Sequence, residues 1–163
     1  MTDIWRELYD TEYPRLLRAL LAIGGDPDAA EDAAQEAFVK AHRTGIERLE
    51  RPGAWLLVVG TRELLRHHRR RRIEAQRWAE RGDAEARGTD SLVDRADLLA
   101  ALRQLPERQR TVVVARYYYG LSYEEIARLF GIKSGTVGAT LHQAIDKLRQ
   151  IHVAGRLARG AMR

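Results

Sequence analysis

The chain has 163 residues, no cysteine and a formal net charge of +5. That length suffices for one medium domain or two small helical ones, and the missing thiols exclude a disulfide framework and a thiolate metal site. No apolar run reaches the roughly 20 residues of a membrane helix, and the acidic opening MTDIWRELYD is no signal peptide, so a soluble cytoplasmic protein is expected.

The charge is segregated. Residues 1–50 hold six basic and eleven acidic residues, and residues 62–81 hold eight arginines against three glutamates. The last fourteen residues add three arginines. A polyanion partner suits the basic middle, and a protein partner suits the acidic start. Arginine supplies 25 of the cations and lysine three. The planar guanidinium favours phosphate, although genome composition accounts for the bias equally well.

Hydrophobic spacing predicts helices throughout, with no strand-period segment and no internal repeat. A first helix is expected over about Asp3–Ile23, with Ile4, Leu8, Leu16, Leu17, Leu20 and Leu21 apolar. Pro14 lies inside it, so a kink or break is expected near Tyr13. GGDPD at 24–28 is a turn. A second helix, about Ala29–His42, places Ala30, Ala33, Ala34, Ala37, Phe38 and Ala41 on one side. Glu31, Asp32, Gln35 and Glu36 fall on the other. A face this rich in alanine requires neighbours that approach closely.

A third helix opens at Pro52, a favoured first helical position. It carries Trp55, Leu56, Val58, Val59, Leu64 and Leu65 into the run HHRRRR. Arg62, Arg66, Arg69 and Arg70 fall largely on one side of it, which suits a row of phosphate contacts. Residues 82–90, GDAEARGTD, read as a flexible linker. A fourth helix is expected over about Ser91–Leu105, with Leu92, Leu98, Leu99 and Leu102 apolar. A fifth runs from Pro106 to about Tyr119, with Tyr117 facing inward and Gly120 as its stop.

Residues 122–149, SYEEIARLFGIKSGTVGATLHQAIDKLR, form a predicted helix-turn-helix. Ser122 and Glu125 have the spacing of a capping box. Ile126, Ala127, Leu129 and Phe130 give the first helix an apolar side, and Gly131 tolerates the positive φ of the turn. A second helix starts near Ser134, with Val137, Leu141, Ile145 and Leu148 inward. In DNA-binding proteins the outward face of such a helix enters the major groove. The tail beyond Ala154 is expected to fray.

Catalytic signatures are absent. The five histidines, at 42, 67, 68, 142 and 152, have no HExxH spacing, and no P-loop, G-x-G-x-x-G or G-x-S-x-G occurs. The chain is therefore expected to bind rather than catalyse, with no metal and no cofactor.

Four segments, in order, resemble the extracytoplasmic-function (ECF) class of sigma factors of bacterial RNA polymerase. AEDAAQEAF at 30–38 and PGAWLLVVGTRELLRHHRRRR at 52–72 are similar to motifs of that family's promoter-binding N-terminal domain. LPERQRTVVVARYYYGLSYEEIA at 105–127 is similar to its C-terminal signature, and GTV at 135–137 to the start of its recognition helix. The resemblance implies an all-α fold of two small helical domains, 1–81 and 91–154, joined by the linker 82–90. The second would be a four-helix unit ending in the helix-turn-helix, followed by a basic tail at 155–163.

It also implies partners. Glu31, Asp32, Gln35 and Glu36 would dock the clamp helices of core RNA polymerase. The loop around Leu49 to Gly53, together with Arg62, Arg66, Arg69 and Arg70, would meet melted promoter DNA. Lys133, Ser134, Thr136, Thr140 and Gln143 would read the distal promoter element, while the first helices of that domain grip the polymerase flap. An anti-sigma factor is a further expected partner, and the nucleoid the place of action.

The chain also departs from the family pattern. Arg62 stands where relatives usually carry Asn, and Arg66 where they carry Asp. Gly138, Ala139 and Thr140 replace a Lys-Ser-Arg-like run, and Gln143 replaces another Arg. Two alternatives follow: a sigma-like protein that acts mainly through protein contacts, and a single-operator helix-turn-helix regulator confined to the second half.

Overall fold

A computed structural model describes residues 3–79 and 96–161. The elements are α1 (Asp3–Gly24), α2 (Pro27–Thr44), a 3₁₀ turn (Ile46–Arg48) and α3 (Pro52–Ala79). There follow α4 (Ala96–Arg103), α5 (Glu107–Val113), a π turn (Val114–Tyr118), α6 (Tyr123–Phe130) and α7 (Ser134–Ala161). No strand occurs among the described residues. The chain divides into two compact units, Met1–Ser91 and Leu92–Arg163. The linker expected at 82–90 lies outside the described residues, as do 91–95.

In the N-terminal unit α1, α2 and α3 pack against one another. Leu16, Leu20 and Ile23 of α1 meet Leu56, Leu57 and Leu64 of α3, all fully buried. Ala29, Ala30, Ala33, Ala34, Ala37 and Ala41 form the inward face of α2, with Phe38 beside them. Asp26 caps α2, accepting from the backbone N–H groups of Asp28 and Ala29, and Pro27 follows at the position where a missing N–H costs nothing. Arg71 of α3 pairs with the same Asp26 carboxylate, so one member of the arginine run serves the fold.

Of the kink or break expected near Tyr13, the break does not occur. Helix α1 passes through Pro14 without interruption. The lost backbone bond is offset by the contacts of Leu16, Ala19 and Leu20 that follow it into the core.

In the C-terminal unit α7 is the axis. It packs on α5, α6 and α4, through Val137, Leu141 and Ala144. The fifth helix is not regular over its whole length. The backbone bond from the Tyr119 N–H to the Val114 carbonyl widens its end into a π turn, and the Leu121 N–H closes onto the Ala115 carbonyl beyond it. Thr111, Val112, Val113, Val114 and Ala115 are buried in succession into the start of this turn. Tyr117 then points outward, 63% exposed, and Tyr119 points in, the reverse of the inward placement expected for Tyr117. Leu98 of α4 is also 63% exposed. Helix α7 continues to Ala161 rather than fraying after Ala154. Its last turns, AGRLARGA, contain no proline to stop it.

Two glycines should respond to alanine with opposite signs. A Cβ at Gly60 would stand 3.0 Å from Leu20 Cδ1 and 3.3 Å from Leu16 Cδ1, both fully buried. Overpacking there costs about 1–3 kcal/mol, more than the about 1 kcal/mol that alanine gains over glycine in a helix. A Cβ at Gly138 meets only the Tyr123 ring, at 3.5 Å. Thermal unfolding should therefore show Gly60→Ala lowering Tm and Gly138→Ala raising it.

Candidate functional site

In the N-terminal unit the alanine face of α2 leaves its polar residues outside. Glu31, Asp32 and Gln35 are exposed and Glu36 is half-buried. Gln35 Nε2 donates to Glu31 Oε1 at 3.4 Å, and Gln35 also hydrogen-bonds the Tyr13 hydroxyl. Burial, and next the neighbouring Tyr9, push the Tyr13 phenol above its ordinary pKa, while the Gln35 bond pulls the other way.

A chain of ion pairs runs from this edge to α3. Glu36 lies 3.9 Å from Lys40, Lys40 lies 2.5 Å from Glu63, and Glu63 lies 2.8 Å from Arg66. Asp32, Glu36, Glu63, Arg66, His67 and Arg70 line one groove of about 320 Å³. Four sequence-selected residues, Asp32, Glu36, Arg66 and Arg70, are thus brought together. Arg62 and Arg69 are exposed on the same helix.

A second groove, of about 470 Å³, lies on the other flank of Gln35 and is lined by Trp5, Tyr9, Phe38, Val39, His42 and Arg43. Tyr9 stacks on Tyr13 at 4.8 Å. The Phe38 ring meets Trp5 at 6.1 Å and Tyr9 at 5.1 Å edge-on. Sequence reasoning passed over this surface. The available clue was the four-residue spacing of Trp5, Tyr9 and Tyr13, matched by Phe38 and His42.

In the C-terminal unit the helix-turn-helix has the expected local chemistry. Ser122 Oγ accepts from the Glu125 N–H at 3.1 Å, and the Ser122 N–H donates to Glu125 Oε2 at 2.7 Å. Gly131 is left-handed, with φ 67°. Lys133 and Ser134 are exposed at the start of α7, Thr136 is half-buried and Gln143 is exposed. Thr140 is 8% exposed. It shares the inward flank of Val137 and Leu141, against the start of α5, so the contact role expected of it does not fit its placement.

Three further side chains join this surface. Arg108 lines a groove of about 460 Å³ with Pro106, Gln109, Gly135, Ala139 and Gln143. Arg116 sits 5.5 Å over the Tyr123 ring, anchored by its bond to the Leu121 carbonyl at 2.9 Å. Arg116 and Tyr123 flank the start of α6. Among the described residues no cluster of His, Asp or Glu could hold a metal ion, and no helix is long and apolar enough to cross a membrane.

Comparison with known proteins agrees with this geometry. The model of Sigma-70 region 2 matches residues 8–73, and that of Sigma-70, region 4 matches residues 95–148. The ECF RNA polymerase sigma factor SigL of Mycobacterium tuberculosis is 34% identical over 154 residues, covering 90% of this chain and 87% of that protein. The RNA polymerase sigma-E factor of Streptomyces avermitilis is 33% identical over 149 residues, covering 90% and 83%. The sigma factor RpoE of Bartonella quintana, solved in complex with the anti-sigma factor NepR, has the same fold. Its TM-score is 0.76 at 23% identity, over 92% of this chain and 97% of that one. Two regions matched in order, on relatives of nearly equal span, show that the chain belongs to the ECF class of RNA polymerase sigma factors, which direct promoter-specific initiation of transcription.

Proposed function

We propose that the acidic edge of α2, formed by Glu31, Asp32, Gln35 and Glu36, docks a basic coiled coil of core RNA polymerase, the clamp helices. Arg62, Arg66, Arg69 and Arg70 of α3 contact the upstream part of the melted promoter. Lys133, Ser134, Thr136 and Gln143 face the distal element, with Arg116 and Tyr123 on its phosphates, and the first helices of the C-terminal unit meet the polymerase flap. The domains span 1–81 and 91–154, tethered through 82–90. The protein acts by binding, with no catalytic step of its own, in the cytoplasm at the nucleoid. An anti-sigma factor, such as the RpoE relative binds, is the expected inhibitor.

One observation carries this reading. Alanine packing consumes one whole side of α2, so its acids face outward, one groove away from the arginines of α3. That neighbourhood supports a reading in which a protein-docking edge and a nucleic-acid edge share one helix pair. Run-off transcription with core polymerase tests it directly: a specific start on a genomic promoter is expected, and none on any promoter would refute it.

A second reading has its own support. From Ser134 to Asp146 helix α7 carries no Lys or Arg, which favours a C-terminal unit that grips DNA weakly and contributes through protein contacts. Two weak grips held on one polymerase still add, because the second engages at high effective concentration.

Reversing the charge of Glu31, Asp32 and Glu36 to Lys should weaken association with core polymerase by about tenfold or more. Helical content should not change, since these side chains lie outside the core. Native affinity in that triple variant would count against the docking edge. Replacing Arg69 and Arg70 with Ala should flatten the salt dependence of promoter binding by about 0.7–0.9 log units per arginine. An unaltered slope would remove them from the DNA contact.

A further inference from the structure

The face of α7 that would enter the major groove restricts which bases it can recognise. Val137, Leu141 and Ala144 are buried and fix its inward side. The opposite side presents Gly135, Ala139, His142, Gln143 and Asp146. No Arg or Lys occurs between Ser134 and Asp146, so this stretch lacks the cationic fork that pairs with guanine O6 and N7.

Two of the outward polar groups are engaged with each other. His142 Nε2 lies 3.2 Å from Asp146 Oδ2, and Asp146 Oδ1 lies 3.6 Å from Arg149 Nη1. Gln143 differs. It is exposed and makes no hydrogen bond among the described residues. It also ends a straight row, Gly135, Ala139 and Gln143, one helical turn apart. The first two positions carry a hydrogen and a methyl, so this flank can lie close to a duplex. The Gln143 amide is then the group that meets base edges. Arg108, across the groove that these three residues line, supplies a cation for the flanking phosphate.

We infer that Gln143 is the base-reading residue of α7 and that it specifies adenine, its amide donating to N7 and accepting from N6. Ala139 packs on the methyl of a neighbouring thymine. The distal promoter element of this protein is A·T at that step, where an arginine at 143 would take guanine. The inference rests on α7 being the recognition helix.

The test uses holoenzyme, the full chain on core polymerase, with promoter fragments randomised over the distal element. Adenine should be enriched at one position. 7-Deazaadenine there, which lacks N7, should weaken binding about tenfold, and deoxyuridine in place of the adjacent thymine should weaken it less. Gln143→Arg should move the preference from adenine to guanine, whereas Arg108→Ala should weaken all sequences alike. Guanine or cytosine selected by the native chain, or an adenine preference unchanged in both Gln143→Arg and Gln143→Ala, overturns the inference. So does a distal element with no preference at all; if promoter-specific initiation persists in that case, the initiation role stands without this readout. Loss of all promoter-specific initiation by the native protein removes both.

Discussion

Closeness of approach around α2 is the constraint on which the N-terminal unit depends. Six of its seven buried residues are alanines. A methyl group removes little area from water, so the stabilisation comes from many short dispersion contacts, and these exist only if α1 and α3 lie tight against the helix. Gly60 marks the same requirement on α3, where the Leu20 side chain occupies the space a Cβ would need. A helix held this way has no room for a polar side chain on its inner half. Its carboxylates and Gln35 are driven onto the outer half by packing. Phe38 is the exception that anchors the rings of Trp5, Tyr9 and Tyr13 at the end of that outer surface.

The C-terminal unit solves a different problem with less material. Helix α6 has eight residues, too few to persist alone. Its start is held by the reciprocal Ser122–Glu125 bonds and its end by Gly131, whose left-handed backbone lets the Ile132 N–H return to the Ala127 carbonyl at 2.9 Å. Each cap contributes about 1 kcal/mol, a large share for an element of two turns. The π turn before it does a related job. By adding a residue between Val114 and Tyr119 it leaves Tyr117 and Tyr118 at the surface while Tyr119 is buried.

Much of this was legible in the sequence, for identifiable reasons. The alanine stripe of α2, the start of α3 at Pro52 and the capping box at Ser122 are local patterns with one favourable geometry each. The π turn was not legible, because VVVARYYY satisfies an α-helix as well as a widened one, and only tertiary packing selects between them. Pro14 misled in the other direction: its local penalty is real, but the core contacts of Leu16, Ala19, Leu20 and Ile23 that follow it outweigh it. Thr140 shows the limit for the site. Its residue type suits a base contact, yet at 8% exposure its position on the helix decides otherwise. The aromatic groove beside Gln35 was written in the four-residue spacing of its rings, but exposed aromatics resemble core residues until the neighbouring helix is placed.

Arginine density is a poor guide to function at single positions, and the ion pairs show why. Arg71 is tied to Asp26 and Arg66 to Glu63, so neither belongs wholly to a nucleic-acid surface. Exposed pairs of this kind are worth about 1 kcal/mol or less, and a phosphate offers a charge-assisted bond of comparable strength or better. On the proposed DNA contact, Glu63 would weaken a phosphate grip at Arg66 without preventing it. Helix α7, with no Lys or Arg from Ser134 to Asp146, would be weak for a separate reason. Two such grips would add once a larger body holds both, and selectivity would then come from the few unengaged groups that remain.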